Sequence, residues 1–147
     1  MTTALTGSRL AERINEKHPG VALEWNERDV WVEPQSLETV GRLLRDDEKL
    51  DFNFLTAVTG VDYIEHFELV YHLVSLRRNH SAVLKARVYG RDDPVVPSVV
   101  DVWKGADLQE REVWDLMGVR FEGHPNMKRI LLWEDFPGHP LRKDYLD

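Results

Sequence analysis

The chain has 147 residues, of which 42% are hydrophobic, and its 26 acidic and 19 basic residues leave a net charge of −7. This apolar content is enough for the core of one domain and argues against global disorder. The sequence contains no cysteine, which excludes disulfide scaffolds, thiol nucleophiles and cysteine-ligated zinc or iron–sulfur sites within the chain. The acidic balance argues against broad nucleic-acid binding.

Patterns that would direct the chain through a membrane are missing from the sequence. The longest nearly apolar run, from Phe67 to Leu76, contains Glu68 and His72 and is far shorter than the roughly 20 apolar residues that span a bilayer. The first residues lack the basic and apolar regions of a signal peptide. We therefore expect a soluble, cytoplasmic chain, which can still belong to a membrane-bound assembly.

The first part of the chain has the pattern of a helix followed by a β-hairpin. Residues 8–17 are predicted to be helical, with Ser8 as the N-cap and His18-Pro19-Gly20 as the end. Alternating residues at 21–25 and the apolar residues 30–32 flank a polar turn, which is a hairpin signal. These elements open an α-β-β unit.

A second helix and three strands are predicted next. Ser36 can cap the helix, whose apolar residues recur on one face. Residues 52–58 have the composition of a buried strand, and Gly60 is expected to end it. Residues 67–76 and 82–89 give the two remaining strands, on either side of a polar turn.

The resulting order, α-β-β-α-β-β-β over residues 1–93, predicts a two-layer α+β domain. We expect a mostly antiparallel mixed sheet with the helices on one face. Residues 94–147 differ in character, and we expect them to add a helix and an extended irregular segment to the same structural domain. No repeat or clear linker separates the two parts.

A third helix is predicted between Asp107 and Gly118. Asp107 and Glu110 have the spacing of a capping box, and Gly118 is a natural left-handed stop. Arg111 and Asp115 lie four positions apart and can form an ion pair on the helix surface.

The carboxylates of this helix allow two interpretations. Glu110, Glu112 and Asp115 could serve as acid/base groups. Alternatively they cap the helix, interact with its dipole and join a network of salt bridges. The second interpretation is favoured, because the sequence indicates neither a substrate pocket nor a raised pKa.

The tripeptide Gly-His-Pro occurs twice, around His124 and His139. Two histidines could bind a metal or move protons. A metal site needs three or four ligands with supporting partners, and cysteine is unavailable. The tripeptides are therefore more typical of turns in which the imidazole bonds to backbone or carboxylate groups.

The C-terminal third is locally basic within an acidic chain. Lys128, Arg129, Arg142 and Lys143 could be ordinary solvated charges. Three of the five tryptophans also lie in this region, and arginine with aromatic residues is typical of protein interfaces. We expect a docking segment here.

Two blocks of this region match a known signature. The first contains Glu110-Arg111-Glu112, Asp115, Gly118, Phe121, Gly123-His124-Pro125 and Lys128-Arg129, and the second is Gly138-His139-Pro140-Leu141-Arg142-Lys143-Asp144. Together they resemble the C subunit, also called the 30-kilodalton subunit, of respiratory complex I, the proton-pumping NADH:quinone oxidoreductase. The predicted α-β-β-α-β-β-β order agrees with the fold of that family.

The resemblance implies a non-redox subunit of the hydrophilic arm, located on the cytoplasmic side of the cell membrane. It implies docking on the large quinone-site subunit, known as the D subunit, with the iron–sulfur subunits B and I nearby. NADH, FMN, iron–sulfur clusters and quinone would all be bound by other subunits. This chain would then supply no catalytic, cofactor-binding or metal-binding residue, and the signature residues would be structural and docking elements.

Two other functions are kept as alternatives. The same domain is known from energy-converting hydrogenases and from F420H2- or ferredoxin-linked complexes, which differ in their partners. A stand-alone enzyme would use Glu112, Asp115, His124 and His139. Family members often continue with a tail along a partner subunit, whereas this sequence ends at Asp147.

Overall fold

The computed structural model describes residues 2–145. The helices in this range are α1 (Gly7–Lys17), α2 (Leu37–Asp46) and α3 (Ala106–Met117), with a short 3-10 turn at Pro34–Ser36. The strands are β1 (Thr3–Ala4), β2 (Ala22–Trp25), β3 (Asp29–Val32), β4 (Phe54–Asp62), β5 (Phe67–Ser75), β6 (His80–Val88), β7 (Val95–Pro97) and β8 (Arg120–Glu122). None of the helices in residues 2–145 is long and apolar enough to cross a bilayer.

The main sheet has the order β2-β3-β6-β5-β4, with β1 also beside β6. The hairpins β2–β3, β4–β5 and β5–β6 are antiparallel, whereas β3 and β1 pair with β6 in parallel. Strands β7 and β8 form a separate parallel pair. The sheet is therefore mixed and mostly antiparallel, which confirms the predicted α+β class.

One face of the main sheet forms the core. Alternate residues of β5, from Phe67 to Leu73, are fully buried on this face, as the two-residue period of a strand requires. All three helices contribute apolar side chains to the same core cluster, among them Ile14, Leu44 and Val113. Residues on both sides of position 93 thus share one core, and the division there stays a prediction.

The helix ends differ from the three predicted side-chain caps. Ser36 precedes α2, as predicted, but its side chain makes no capping hydrogen bond. Thr6, not Ser8, caps α1, because its hydroxyl accepts a hydrogen bond from the Arg9 backbone at 3.2 Å. Helix α3 begins after Gly105 without a side-chain cap, so the predicted capping box is wrong. The predicted stop at Gly118 is confirmed by its left-handed φ of 78°.

Gly60 does not end β4, which continues to Asp62. A Cβ atom at this position would lie 2.8 Å from the sulfur of Met117. Glycine therefore leaves room for the close packing of α3 on the strand, and the sequence-based expectation of a break is wrong. The short strands β1, β7 and β8 were not predicted, because two or three residues show no periodicity.

Candidate functional site

Asp115 is a fully buried carboxylate on α3 that binds a distant part of the chain. Its oxygens accept hydrogen bonds from Arg129 Nη1 at 2.8 Å and from the backbone of Ile130, Leu131 and Leu132 at 3.1, 2.7 and 3.0 Å. Burial alone would raise the pKa of Asp115, but these donors hold that pKa below its ordinary value. The carboxylate therefore stays charged and fixes residues 129–132 against the helix.

Arg129 connects α3 to residues 136–138, which follow the segment 129–132. Besides the Asp115 carboxylate, it donates to the Asp115 carbonyl at 3.0 Å and to the carbonyls of Phe136 and Gly138 at 2.9 and 2.8 Å. Its guanidinium also lies 5.7 Å from the centre of the Phe136 ring. Arg129 is consequently an internal cross-link, and its predicted part in docking stays a prediction.

Arg111 holds the same segment from a neighbouring position on the helix. It donates to the carbonyls of Lys128 and Arg129 at 3.1 and 3.0 Å. Asp115 instead pairs with Arg129, so the predicted Arg111–Asp115 pair is wrong. Sequence reasoning missed this arrangement because its partners lie 14 to 18 residues away.

Glu110 points into the core and is fully buried. Its carboxylate oxygens accept hydrogen bonds from Ser98 Oγ at 2.5 Å and from the Val99 backbone at 2.9 Å. Burial raises the pKa of Glu110 to about 7, and the two hydrogen bonds oppose the rise. Its role is to join α3 to the chain after β7, and neither a capping role nor a solvent-facing acid/base site fits this position.

The first Gly-His-Pro forms a turn with both ring nitrogens of His124 engaged. Nδ1 accepts from the Asn126 backbone at 2.9 Å, so Nε2 carries the proton. That nitrogen lies 3.1 Å from the Asp107 carbonyl and 3.0 Å from the Asp107 carboxylate. Neither nitrogen is left to bind a metal, and Pro125 beside it is exposed.

The second Gly-His-Pro packs near the C-terminal end of α3, whereas the first contacts its first turn. His139 Nδ1 donates to the Asp115 carbonyl at 3.0 Å, and its ring centre lies 4.8 Å from that of Trp114. Burial lowers the pKa of His139, which favours the neutral ring. Within residues 2–145, no three histidines, aspartates or glutamates are grouped so that they could hold a metal ion.

The C-terminal block is attached where α3 ends. Arg142 Nε donates to the Met117 carbonyl at 2.7 Å. The guanidiniums of Arg142 and Arg91 lie 5.1 and 4.7 Å from the centre of the Phe67 ring. A Cβ atom on Gly118 would lie 2.6 Å from the His139 ring, so glycine here allows both the helix stop and the close approach of the block.

Asp62, at the end of β4, holds the last described residues. It pairs with Arg91 at 2.7 Å and accepts from the Lys143 backbone at 2.8 Å. Arg91 holds the pKa of Asp62 well below its ordinary range and also pairs with Asp144 at 3.0 Å. The Lys143 side chain remains exposed. At this residue the backbone attaches the segment to Asp62, and the charged side chain faces solvent.

The signature residues thus divide into an internal and an exposed set. Buried or partly buried residues hold the segment in place: Glu110, Arg111, Asp115, Gly118, Phe121, His124, Arg129, His139, Pro140 and Arg142. The exposed residues are Glu112, Pro125, Lys128, Gly138, Lys143 and Asp144. Most of the signature residues are therefore at least partly buried and hold the segment in place, and their role in docking stays a prediction.

The structure shows which apolar residues of the predicted docking segment are exposed. Together with Leu108 of α3 they are here called the C-terminal apolar surface: Leu108, Ile130, Leu131, Trp133 and Leu141. Three of them belong to the apolar run at 130–133, which has neither helix nor strand periodicity. Large exposed apolar groups on a fixed backbone are typical of protein–protein contact sites.

Comparison with known proteins agrees with the resemblance. Residues 23–146 match the family described as "Respiratory-chain NADH dehydrogenase, 30 Kd subunit". The NADH-quinone oxidoreductase C subunit of Roseiflexus sp. (strain RS-1) is 43% identical over 96% of this chain and 84% of its own length. The protein of the same name from Roseiflexus castenholzii is 48% identical over 78% of this chain and 67% of its own length. The C subunit numbered 2 of Rhizobium meliloti NADH-quinone oxidoreductase is 43% identical, and the match covers 63% of that protein.

A solved structure shows the same fold within a larger assembly. One chain of the membrane-bound sulfane sulfur reductase (MBS), described as an archaeal respiratory membrane complex, superposes with a TM-score of 0.77. It is 28% identical, and the match covers 95% of this chain and 85% of that chain. The fold is thus used in at least one assembly other than those of the curated relatives.

Replacing Asp115 with asparagine is expected to loosen the C-terminal segment. The substitution removes a buried charge and leaves Arg129 uncompensated, which costs about 3 kcal/mol of unfolding free energy. Urea unfolding measures this loss, and amide hydrogen exchange should become faster in residues 128–138. Glu112→Gln is the matched control on the same helix. Unchanged stability and exchange in Asp115→Asn would contradict the assigned role.

Replacing Glu110 with glutamine is expected to remove a pH dependence of stability. The pKa of Glu110 in the folded state, about 7, is above the ordinary value of 4.5. The folded protein therefore binds the extra proton, and the stabilisation present below about pH 4.5 is lost as the pH rises through about 7. The loss is about 3 kcal/mol.

Urea unfolding of wild type and Glu110→Gln at pH 4.5, 6, 7 and 9 measures this difference, since all other titrating groups are shared. If the glutamine amide changes the free energy of unfolding by a constant amount, that amount is the same at every pH. The variation of the difference between the two proteins with pH still reports the titration of Glu110. Parallel curves for the two proteins would show that Glu110 is not held neutral in the core.

Proposed function

The chain belongs to the family of the respiratory-chain NADH dehydrogenase 30 Kd subunit, and from this membership we propose that it is a non-redox subunit of a proton-translocating NADH:quinone oxidoreductase. The family match spans residues 23–146, and two relatives named as C subunits of NADH-quinone oxidoreductase are 43% and 48% identical. The chain is thus a subunit of a respiratory complex of this type, and its more detailed role is proposed from the site.

The observation that supports a docking role is the fixed C-terminal apolar surface. Asp115 and Arg111 bind the backbone of residues 128–132, and Ile130, Leu131 and Trp133 nevertheless stay exposed. Exposing apolar groups is unfavourable in water, and the hydrogen bonds prevent the segment from turning them inwards. We propose that this surface docks on the large quinone-site (D) subunit in the hydrophilic arm, with the iron–sulfur subunits B and I as neighbours.

The chemistry of the chain supports a non-redox role. The sequence has no cysteine for an iron–sulfur cluster, and the nitrogens of His124 are engaged by neighbouring residues. NADH, FMN, iron–sulfur clusters and quinone would be bound by other subunits. The chain would then contribute to the oxidoreductase by assembly alone, without a catalytic residue of its own.

The proposed location is the cytoplasmic side of the cell membrane, reached through the complex. The chain would be a peripheral member, held by protein contacts and not by a span of its own. The likeness to a chain of an archaeal respiratory membrane complex supports membrane association of this kind.

A second candidate is the equivalent subunit of a related complex, such as an energy-converting hydrogenase or an F420H2- or ferredoxin-linked assembly. The observation that favours it is the superposition on the sulfane sulfur reductase chain with a TM-score of 0.77. The higher identity to the NADH-quinone oxidoreductase relatives, 43% and 48% against 28%, favours the first candidate.

The double variant Leu131→Asp/Trp133→Asp is expected to fold normally and to fail in assembly. Two charges on the docking surface should weaken binding by at least about tenfold, since a single anchor residue can contribute about 2 kcal/mol or more. Variants are expressed in a strain of the source organism that lacks this chain, and co-purifying subunits and NADH-dependent quinone reduction are measured in its membranes.

Leu76→Asp is the control, because Leu76 is equally exposed at 68% but lies in the β5–β6 turn. Near-UV circular dichroism establishes that each purified variant is folded. Normal assembly of the double variant would refute docking through this surface. If the wild-type chain restores an activity that is driven by an electron donor other than NADH, that result would favour the second candidate.

The purified chain alone is expected to contain no stoichiometric metal and to show no absorbance beyond that of its aromatic residues. This follows from the engaged histidines and the absence of cysteine. Elemental analysis and ultraviolet–visible spectroscopy measure both properties. One bound metal per chain, lost in His124→Ala or His139→Ala, would contradict the non-redox assignment.

A further inference from the structure

A groove of about 300 Å³ lies between α3 and β4, the edge strand of the main sheet. Its walls are mainly apolar and are formed by Val58, Val113, Leu116, Met117 and Leu141. The Leu141 backbone donates to the Leu116 carbonyl at 2.9 Å, which fixes that wall of the groove. Leu141 also belongs to the C-terminal apolar surface, so the groove and that surface share this residue.

The edge of β4 beside the groove is only partly protected. The Gln109 side chain accepts from the Val58 backbone at 2.6 Å and approaches the Thr56 carbonyl at 3.5 Å. Backbone groups point alternately to the two sides of an antiparallel strand, so those of Gly60 face the same outer edge as those of Val58. An unpaired edge is a template for an added extended segment.

Glu112 supplies a charge at the rim of the groove. The two preceding signature residues have internal partners, since Glu110 binds Ser98 and Arg111 binds backbone carbonyls. Glu112 is exposed, and no ion pair links it to any residue between positions 2 and 145. An uncompensated carboxylate beside an apolar cleft favours a partner that brings an apolar group and a cation together.

We propose that this groove receives an extended segment of a neighbouring subunit of the complex. The segment places an apolar side chain between Leu116 and Leu141, pairs a lysine or arginine with Glu112 and runs along the edge of β4 at Gly60. The volume is at the low end of the range for small-ligand pockets, about 300 to 1,000 Å³, which suits a few side chains better than the repeated anchors of a helix. This inference rests on the proposed function as a subunit.

Binding of the 147-residue chain to the complex that lacks it tests the groove. The depleted complex is purified in detergent from the deletion strain, and the chain is added at increasing concentration. Glu112→Arg and Leu141→Asp are each expected to weaken binding at least tenfold. The controls, Glu27→Arg and Leu76→Asp, place the same changes at exposed positions outside the groove and should bind within twofold of wild type.

The outcomes separate the groove from the broader proposal. Wild-type binding with both groove variants within twofold of it would overturn the groove inference and leave the subunit assignment intact. Failure of the folded wild-type chain to bind the depleted complex would refute the proposed function itself. Thermal unfolding of each variant ensures that lost binding is not lost folding.

A photo-crosslinking residue in place of Thr59, which is exposed at the groove rim, identifies the occupant. Mass spectrometry of the crosslinked product is expected to give a peptide of another subunit with a lysine or arginine close to a large apolar residue. A crosslinked peptide without a basic residue, or one from a second copy of this chain, would overturn the proposal.

Discussion

The hydrogen bonds of the buried Asp115 carboxylate determine how the C-terminal part of the molecule is arranged. A buried carboxylate has lost its hydration and is tolerated only when it is paired and hydrogen-bonded. Here one guanidinium and three consecutive backbone N–H groups replace the water. Since the donors come from residues 129–132, the requirement to satisfy one charge positions a segment that has no regular secondary structure.

Helix α3 connects three parts of the molecule, because its successive residues face different surroundings. Glu110 joins the helix to the core side of the chain through Ser98, and Arg111 binds the carbonyls of the segment on the outer side. Glu112, the next residue, lies at the rim of the α3–β4 groove without an ion pair to the described residues. One turn of helix thus links the core, the fixed segment and the surface proposed to meet another subunit.

The periodic elements were predictable because their signal is local. The nearly apolar run of β5 and the apolar faces of α1 and α2 depend only on neighbouring positions, and the structure confirms this strand and these helices. Gly118 was likewise predictable as a helix stop. Gly60 was not, since its role in β4 depends on Met117, which is distant in sequence. The Thr6 cap was missed because Ser8, two positions later, is an equally suitable capping residue by type. The short parallel strands β1, β7 and β8 were missed because two or three residues show no periodicity.

The sequence by itself determined the α+β class, the family signature and the absence of cysteine ligands, because composition and local order carry that information. Only the tertiary structure decided what each signature residue does. It placed Arg129 inside a cross-link, turned Glu110 into the core and left Leu131 and Trp133 at the surface. These roles depend on contacts between residues 11 or more positions apart, and such contacts form only when the packed core brings distant segments together.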